Sequence, residues 1–168
     1  NAGGLPTMWK TGHSYIKAKL KESGAALAGE MSGHIFFQDR WYGFDDAIYA
    51  GARLCELLSQ YSESTETVFK SLPNSVNTPE LRLEMEEGEH HRLIQELTDS
   101  ANFPGANVTK IDGVRVDYED GFGLARASNT TPMVIFRFEA DNTKALQRIQ
   151  KEFRTRIRVL RSDLPLPY

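Results

Sequence analysis

The sequence has little cysteine, no excess of positive charge and no long apolar run. Cys55 is the only cysteine among 168 residues, so no internal disulfide can form, and a lone thiol fits a reducing compartment. The formal net charge of -3 excludes the strongly basic field of proteins that bind nucleic acid or anionic membranes. No stretch approaches the roughly 18 to 20 apolar residues of a membrane span. We therefore expect a cytoplasmic protein with no nucleic-acid or membrane partner.

The composition of the sequence is typical of a chain that folds. Hydrophobic residues make up 40% and charged residues 26%, as in average soluble domains. The length allows one ordinary domain or two small ones. The chain begins with Asn1-Ala2 instead of Met, which is typical of the remnant of a cleaved expression tag. We expect the chain to be cut from a longer protein.

Residues 1–70 predict a mixed α/β domain. A short amphipathic helix at residues 14–20 ends before Gly24, and residues 25–31 and 34–37 predict two short strands. Asp45 or Asp46 can cap the next helix, whose apolar positions recur at helical spacing. We expect that helix to bury a face made of Ile48, Ala52, Cys55 and Leu58.

Residues 71–79 contain two prolines and several turn formers without a hydrophobic period, which is typical of a linker between domains. After it, residues 80–168 predict a small α+β domain with an antiparallel sheet and two helices on one face. The predicted strands are residues 80–85, 110–118, 122–126 and 133–138, and the predicted helices are residues 89–97 and 143–159.

The first polar motif is Gly29-Glu30-Met31-Ser32-Gly33-His34, on a predicted strand, tight turn and strand with the turn at Ser32-Gly33. Alternation predicts that Glu30, Ser32 and His34 project to one side of the ribbon. A carboxylate, a hydroxyl and an imidazole suit the adjacent hydroxyls of a sugar. The alternative is a hairpin whose polar face is merely solvated.

The second polar motif is Arg126-Ala127-Ser128-Asn129-Thr130-Thr131-Pro132, between two predicted strands. An arginine fork, short polar side chains and free backbone N–H groups predict a compact cradle for an anion such as phosphate. The alternative is an ordinary β-turn rich in Ser, Asn and Thr.

Together, and in this order, the two motifs resemble the α-D-phosphohexomutase superfamily, in its phosphomannomutase/phosphoglucomutase branch. The resemblance also covers Trp9-Lys10-Thr11-Gly12-His13-Ser14 and the aromatic residues between positions 36 and 46. It implies that residues 1–70 are part of the third domain, which holds the sugar, and residues 80–168 the fourth, which binds phosphate. The branch rests on Met31, because the similar phosphoglucosamine mutases tend to carry Gln there.

The resemblance implies substrate-binding roles but no catalytic or metal-binding residue in this chain. Sugar contacts would come from Glu30 and Ser32, with His34 beside the reacting end and His13 lining the same cleft. The implied substrate-binding set is His13, Glu30, Met31, Ser32, Gly33 and His34 in the first segment, and Arg126, Ala127, Ser128, Asn129 and Thr130 around the phosphate.

The family's phosphorylated serine and its Asp-Gly-Asp-x-Asp magnesium loop have no counterpart here, since residues 118–121 carry too few carboxylates. The resemblance implies that missing N-terminal domains supply both, Mg²⁺ included, and that the fragment alone is inactive. The whole enzyme would interconvert hexose 1-phosphate and hexose 6-phosphate, of mannose or glucose, through a 1,6-bisphosphate. The alternatives are a stand-alone, non-catalytic phosphosugar-binding module and a phosphoglucosamine mutase fragment.

Overall fold

The computed structural model describes residues 3–168, so Asn1-Ala2, interpreted above as a tag remnant, lies outside the described residues. The chain divides into two compact units, residues 1–73 and 74–168. The division falls inside the segment 71–79 that we predict as a linker. Within the described residues, no helix is long and apolar enough to cross a membrane.

The first unit places one antiparallel hairpin among three helices. Gly24 ends the first helix in the left-handed conformation (φ 67°), as predicted for a C-cap, and Phe36 in the second strand is fully buried. The short third helix was not predicted, although its Ser64 cap accepts a hydrogen bond from the Thr67 N–H. The elements are α1 (His13–Ser23), β1 (Leu27–Gly29), β2 (Ile35–Phe37), α2 (Ala47–Leu58) and α3 (Thr65–Lys70).

Helix α2 packs on the hairpin with a different side from the predicted one, and none of its residues is fully buried. Asp46 caps it by accepting from the Tyr49 N–H, as expected, but Ile48 is 88% exposed, and Ala52 and Cys55 are exposed as well. The side that packs on the hairpin carries Tyr49, edge-on to Phe37, and Arg53, whose guanidinium lies 4.5 Å from the centre of the same ring. Leu58 is half-buried, but the other three residues of the predicted face are exposed, because the described part of the first unit contains no element that covers them.

The second unit is an antiparallel sheet packed on two helices, as predicted. Its sheet order is β3-β8-β7-β6-β5, with β4 also paired to β8. The elements are β3 (Val76–Asn77), β4 (Leu81–Glu84), α4 (Glu89–Asp99), β5 (Asn107–Thr109), β6 (Val114–Tyr118), β7 (Gly121–Ala127), β8 (Met133–Ala140) and α5 (Thr143–Leu160).

The helices cover one face of this sheet because its buried side chains alternate along the strands. In β8 every second residue, from Val134 to Ala140, is almost fully buried, and α5 presents Ile149, Phe153 and Ile157 to that face. Gly123 in β7 is part of this fit, since a Cβ there would lie 2.4 Å from Cε2 of Phe153. Only glycine lets α5 approach β7 so closely.

In the second unit, two segments differ from the sequence prediction by more than their end residues. Residues 110–118, predicted as one strand, are divided: β5 ends at Thr109, a turn occupies residues 110–113, and β6 begins at Val114. Gly113 permits that turn with a φ of 82°. In addition, β3 lies inside the segment predicted as a linker, because Val76 pairs with Ala140 at the end of β8.

Candidate functional site

The first polar motif forms the loop of the β1–β2 hairpin. The Glu30 N–H donates to the His34 carbonyl at 2.9 Å, and the Gly33 N–H donates to the Glu30 carbonyl at 3.0 Å. Three residues, Met31, Ser32 and Gly33, therefore make the loop, with Gly33 at a φ of 96°. This matches the hairpin loop that ends in a left-handed glycine. The predicted tight turn at Ser32-Gly33 is one residue too short.

Glu30 and His34 share one face of the hairpin for a different reason from the predicted one. Strand β1 ends at Gly29 and β2 begins only at Ile35, so the predicted alternation of side chains does not continue across the loop. Glu30 and His34 instead lie opposite each other at the base of the loop, and residues opposite one another share a face of a hairpin. Ser32 lies in the exposed loop, beside Met31, which is 61% exposed.

Glu30 joins the loop to the start of α1. Its Oε1 accepts a hydrogen bond from the backbone N–H of Gly12 at 2.6 Å, and its buried Oε2 has no hydrogen bond to the described residues. Gly12 immediately precedes His13, whose ring centre lies 5.9 Å from that of His34. The structure therefore brings His13, Glu30 and His34 together within the first unit.

His34 also has a carboxylate partner that the sequence analysis considered only as a helix cap. Its Nδ1 lies 2.5 Å from Oδ2 of Asp45, and both side chains are partly exposed. Asp45 reaches this position because it bridges to Phe36 in β2. We refer to His13, Glu30, His34 and Asp45 as the hairpin cluster. Its donors and acceptors can bind the hydroxyl groups of a sugar.

The second motif is divided between a strand and a loop. Arg126 and Ala127 are the last residues of β7, and the loop begins at Ser128, whose N–H donates to the Met133 carbonyl. Ser128 is buried, and its Oγ accepts from the N–H groups of Thr130 and Thr131 at 3.3 Å each. The expectation that the loop's backbone N–H groups are free is wrong for these two, because the serine hydroxyl closes the turn.

The other side chains of this motif are either exposed in the loop or hydrogen-bonded to a neighbouring turn. Asn129 and Thr130 are exposed in the loop. The Arg126 side chain is only 11% exposed, and its Nε donates to Oδ2 of Asp112 at 3.2 Å. Asp112 lies in the turn between β5 and β6, within residues 110–118, for which the sequence predicts a strand. Arg126 and the exposed end of the loop can together bind an anion.

Residues 3–168 contain no group of three or more His, Cys, Asp or Glu side chains placed to hold a metal ion. A magnesium site needs several oxygen ligands around one position. The described residues therefore do not fit a Mg²⁺ ion.

Comparison with known families assigns both units. Residues 1–76 match the family described as phosphoglucomutase/phosphomannomutase, alpha/beta/alpha domain III, and residues 80–156 match its C-terminal domain. The two matches meet at the segment that separates the units.

Individual relatives agree with the family match. The chain is 52% identical over 166 residues to a phosphomannomutase/phosphoglucomutase of Pseudomonas aeruginosa, covering 99% of the chain and 36% of that protein. It is 54% identical over 154 residues to a phosphoglucomutase of Neisseria meningitidis, covering 90% of the chain and 33% of that protein.

A solved structure also matches. It is the crystal structure of a phosphoglucomutase/phosphomannomutase family protein from Burkholderia thailandensis, with a TM-score of 0.91 and 54% identity over 99% of the chain and 35% of that structure. The chain thus spans about a third of the length of these relatives. By its two domain matches and its identity to these relatives, the chain belongs to the phosphoglucomutase/phosphomannomutase family.

Proposed function

We propose that the chain is the C-terminal part of an enzyme that interconverts hexose 1-phosphate and hexose 6-phosphate, of mannose or glucose, through a 1,6-bisphosphate. The observation that carries the proposal is the 52% identity, across both units, to a protein named phosphomannomutase/phosphoglucomutase. The chain would supply contacts to the sugar and to its phosphate. The lone thiol of Cys55 favours the cytoplasm as the place where the protein works.

On the sugar side, the hairpin cluster and the loop next to it would bind hydroxyl groups. The free Oε2 of Glu30 is a buried acceptor, which a hydroxyl donor would satisfy. Asp45 holds one nitrogen of the His34 ring, so the other is left for the substrate. Ser32 and the backbone of Met31 and Gly33, exposed in the loop, would add contacts that tolerate either orientation of the sugar.

On the phosphate side, Arg126 would supply the charge and the loop would supply neutral donors. Asn129 and Thr130 are exposed and can donate directly, whereas the Ala127 side chain is buried in the core of the second unit and would leave only backbone atoms for the phosphate. Ser128 would act mainly by holding the loop closed, because its hydroxyl already accepts two backbone N–H groups. Binding the end of the substrate away from the reacting atoms provides orientation, which is a large part of catalysis of phosphoryl transfer.

The remaining chemistry is assigned to the rest of the protein. Phosphoryl transfer needs a phosphate carrier and a metal ion, and the described residues do not fit Mg²⁺. We propose that the phosphorylated serine and the Mg²⁺ site lie in the domains that make up the other two thirds of the relatives' length. By itself, the 168-residue chain is then expected to be inactive.

The test is a mutase assay of the full-length protein that contains these residues, with the phosphates of glucose, mannose and glucosamine. We expect turnover of glucose or mannose 1-phosphate, and a rise in KM of roughly 10- to 100-fold in Arg126→Ala, because a charge-assisted phosphate contact is lost. Turnover of glucosamine phosphate alone would favour the phosphoglucosamine branch. Binding of sugar phosphate without any turnover would indicate a binding module and contradict the proposal.

A further inference from the structure

Asp112 lies against the one arginine of the phosphate-binding motif, although that motif does not include it. Its Oδ2 accepts from Nε of Arg126, and the Arg126 side chain is 11% exposed while that of Asp112 is 25% exposed. Within residues 74–168, all of which the structure describes, the Nη atoms of Arg126 have no hydrogen bond. One edge of the guanidinium is therefore held, and the two terminal nitrogens remain as donors.

The backbone brings Asp112 to this position through Gly113. A Cβ at Gly113 would lie 2.3 Å from the Ala125 carbonyl oxygen and 2.9 Å from Cα of Arg126, so this turn presses directly on β7 at the arginine. Gly113 also has a φ of 82°, a conformation that other residues rarely adopt. The turn is thus built to place a carboxylate beside this guanidinium.

From this geometry we infer that Asp112 is a positioning residue: it fixes the Arg126 guanidinium through Nε so that the two Nη groups face the phosphate of the substrate. This inference rests on the proposed function. An arginine side chain loses much rotational freedom when it binds an anion, and a partner that fixes it beforehand removes part of that loss. Asp112 would need no contact with the substrate to do this.

The chain offers a matched control on the same sheet. Asp117 in β6 holds the guanidinium of Arg115, with 2.6 Å between Oδ1 and Nη2, and the exposures of this pair are similar, at 35% and 22%. Arg115 is not part of the phosphate motif. Breaking its pair therefore shows how the loss of an arginine–aspartate pair elsewhere on this sheet affects the KM.

The experiment measures steady-state kinetics of the full-length protein. We expect Asp112→Ala to raise the KM for the sugar phosphate about three- to tenfold, Asp112→Asn to restore the wild-type KM because its amide oxygen still accepts from Nε, and Asp117→Ala to leave KM unchanged. In an Arg126→Ala background, Asp112→Ala is expected to add nothing. An equal effect of Asp117→Ala, an unchanged KM in Asp112→Ala, or an additive effect in the double variant would overturn the inference.

A second measurement needs no variant, so it decides the matter even if Asp112→Ala does not fold. In the protein labelled with ¹⁵N-arginine, glucose 6-phosphate is expected to shift the Nη signals of Arg126 and to leave its Nε signal in place. A large shift of Nε, as expected if phosphate displaces Asp112, would overturn the inference. The proposed function fails separately, if the full-length protein binds sugar phosphate without any turnover.

Discussion

The carboxylate of Glu30 accepts a hydrogen bond from the backbone N–H of Gly12, with 2.6 Å between the oxygen and the nitrogen. The hairpin loop and the first turn of α1 are therefore joined by a single side chain. His13 follows Gly12 and His34 lies opposite Glu30, so this contact lies beside the two imidazoles, whose ring centres are 5.9 Å apart.

Removing that carboxylate is expected to loosen the first unit. In Glu30→Ala the partly buried N–H of Gly12 loses its acceptor, at a cost of about 1.5 to 3 kcal/mol for a hydrogen bond to a charged group. The measurement is the free energy of unfolding by urea. Glu22→Ala is the control, since its pair with Lys19 is exposed and is worth at most about 1 kcal/mol. Equal losses in the two variants would contradict the role of Glu30.

The contact between His34 and Asp45 predicts one tautomer of the imidazole. An ionised carboxylate only accepts hydrogen bonds, so Nδ1 of His34 carries a proton in this pair. Long-range ¹H–¹⁵N spectra of the neutral ring are expected to show protonated Nδ1, and Asp45→Ala is expected to shift the population toward protonated Nε2. His91, exposed on α4, provides the unaffected control signal. A protonated Nε2 in the unaltered protein would contradict the assignment.

Helix α4 is tied to the end of α5 by an ion pair whose strength depends on pH. Both Nη atoms of Arg161 contact the carboxylate of Glu96, at 2.6 and 3.0 Å, and these hydrogen bonds lower the pKa of Glu96 below its ordinary 4.5. A lowered pKa in the folded state means that the pair stabilises above pH 4.5 and that this stability is lost as the pH falls through the folded value.

Glu96→Gln is therefore expected to lower the melting temperature at pH 7 and to leave it unchanged near the acid limit, where the wild-type carboxylate is protonated as well. The measurement is thermal unfolding followed by circular dichroism at several pH values. Glu80→Gln provides the control, because its contact with Arg82 is longer, at 3.3 Å, and exposed. A constant difference between Glu96→Gln and wild type at all pH values would contradict this prediction.

The last residue of the chain contributes to the core of the second unit. The ring of Tyr168 packs on Phe136 and Phe138, with centres 5.2 and 4.6 Å apart, and burial raises the pKa of its hydroxyl. That hydroxyl has no hydrogen bond to the described residues. Tyr168→Phe is expected to be neutral or stabilising, whereas Tyr168→Ala is expected to cost about 3 kcal/mol. Urea unfolding compares the two, and a large loss in Tyr168→Phe would reveal a hydrogen bond.

Local signals determined which parts of the fold were predictable. Helix α1 was predicted to end before Gly24, and α5 was predicted to begin at Thr143, because caps and helical spacing act within a few residues. The buried side of α2 was predicted wrongly because sequence periodicity identifies an apolar stripe but not the element that covers it. Residues 110–118 were predicted as one strand because the turn at Gly113 lies between two strand-like runs.

The candidate site was predictable where its residues are neighbours in sequence. Arg126 and Glu30 were identified from their motifs, and their substrate contacts remain predictions. Asp45 and Asp112 were missed as partners because they lie 11 residues from His34 and 14 from Arg126, and only the pairing of the strands brings them close. The Asp-Gly pair at residues 112–113 was the available signal, since this dipeptide is typical of turns.

Strand β7 carries Gly123 on its helix-facing side and Arg126 three positions later on the other. A methyl group added at Gly123 would push against Phe153, and a rigid strand would transmit that push to the guanidinium on its far side. If the proposed function holds, such a variant is expected to bind sugar phosphate more weakly although no contacting residue is changed. In a genetic screen such a variant would look like one with an altered site residue, although the cause is the packing of the Phe153 ring.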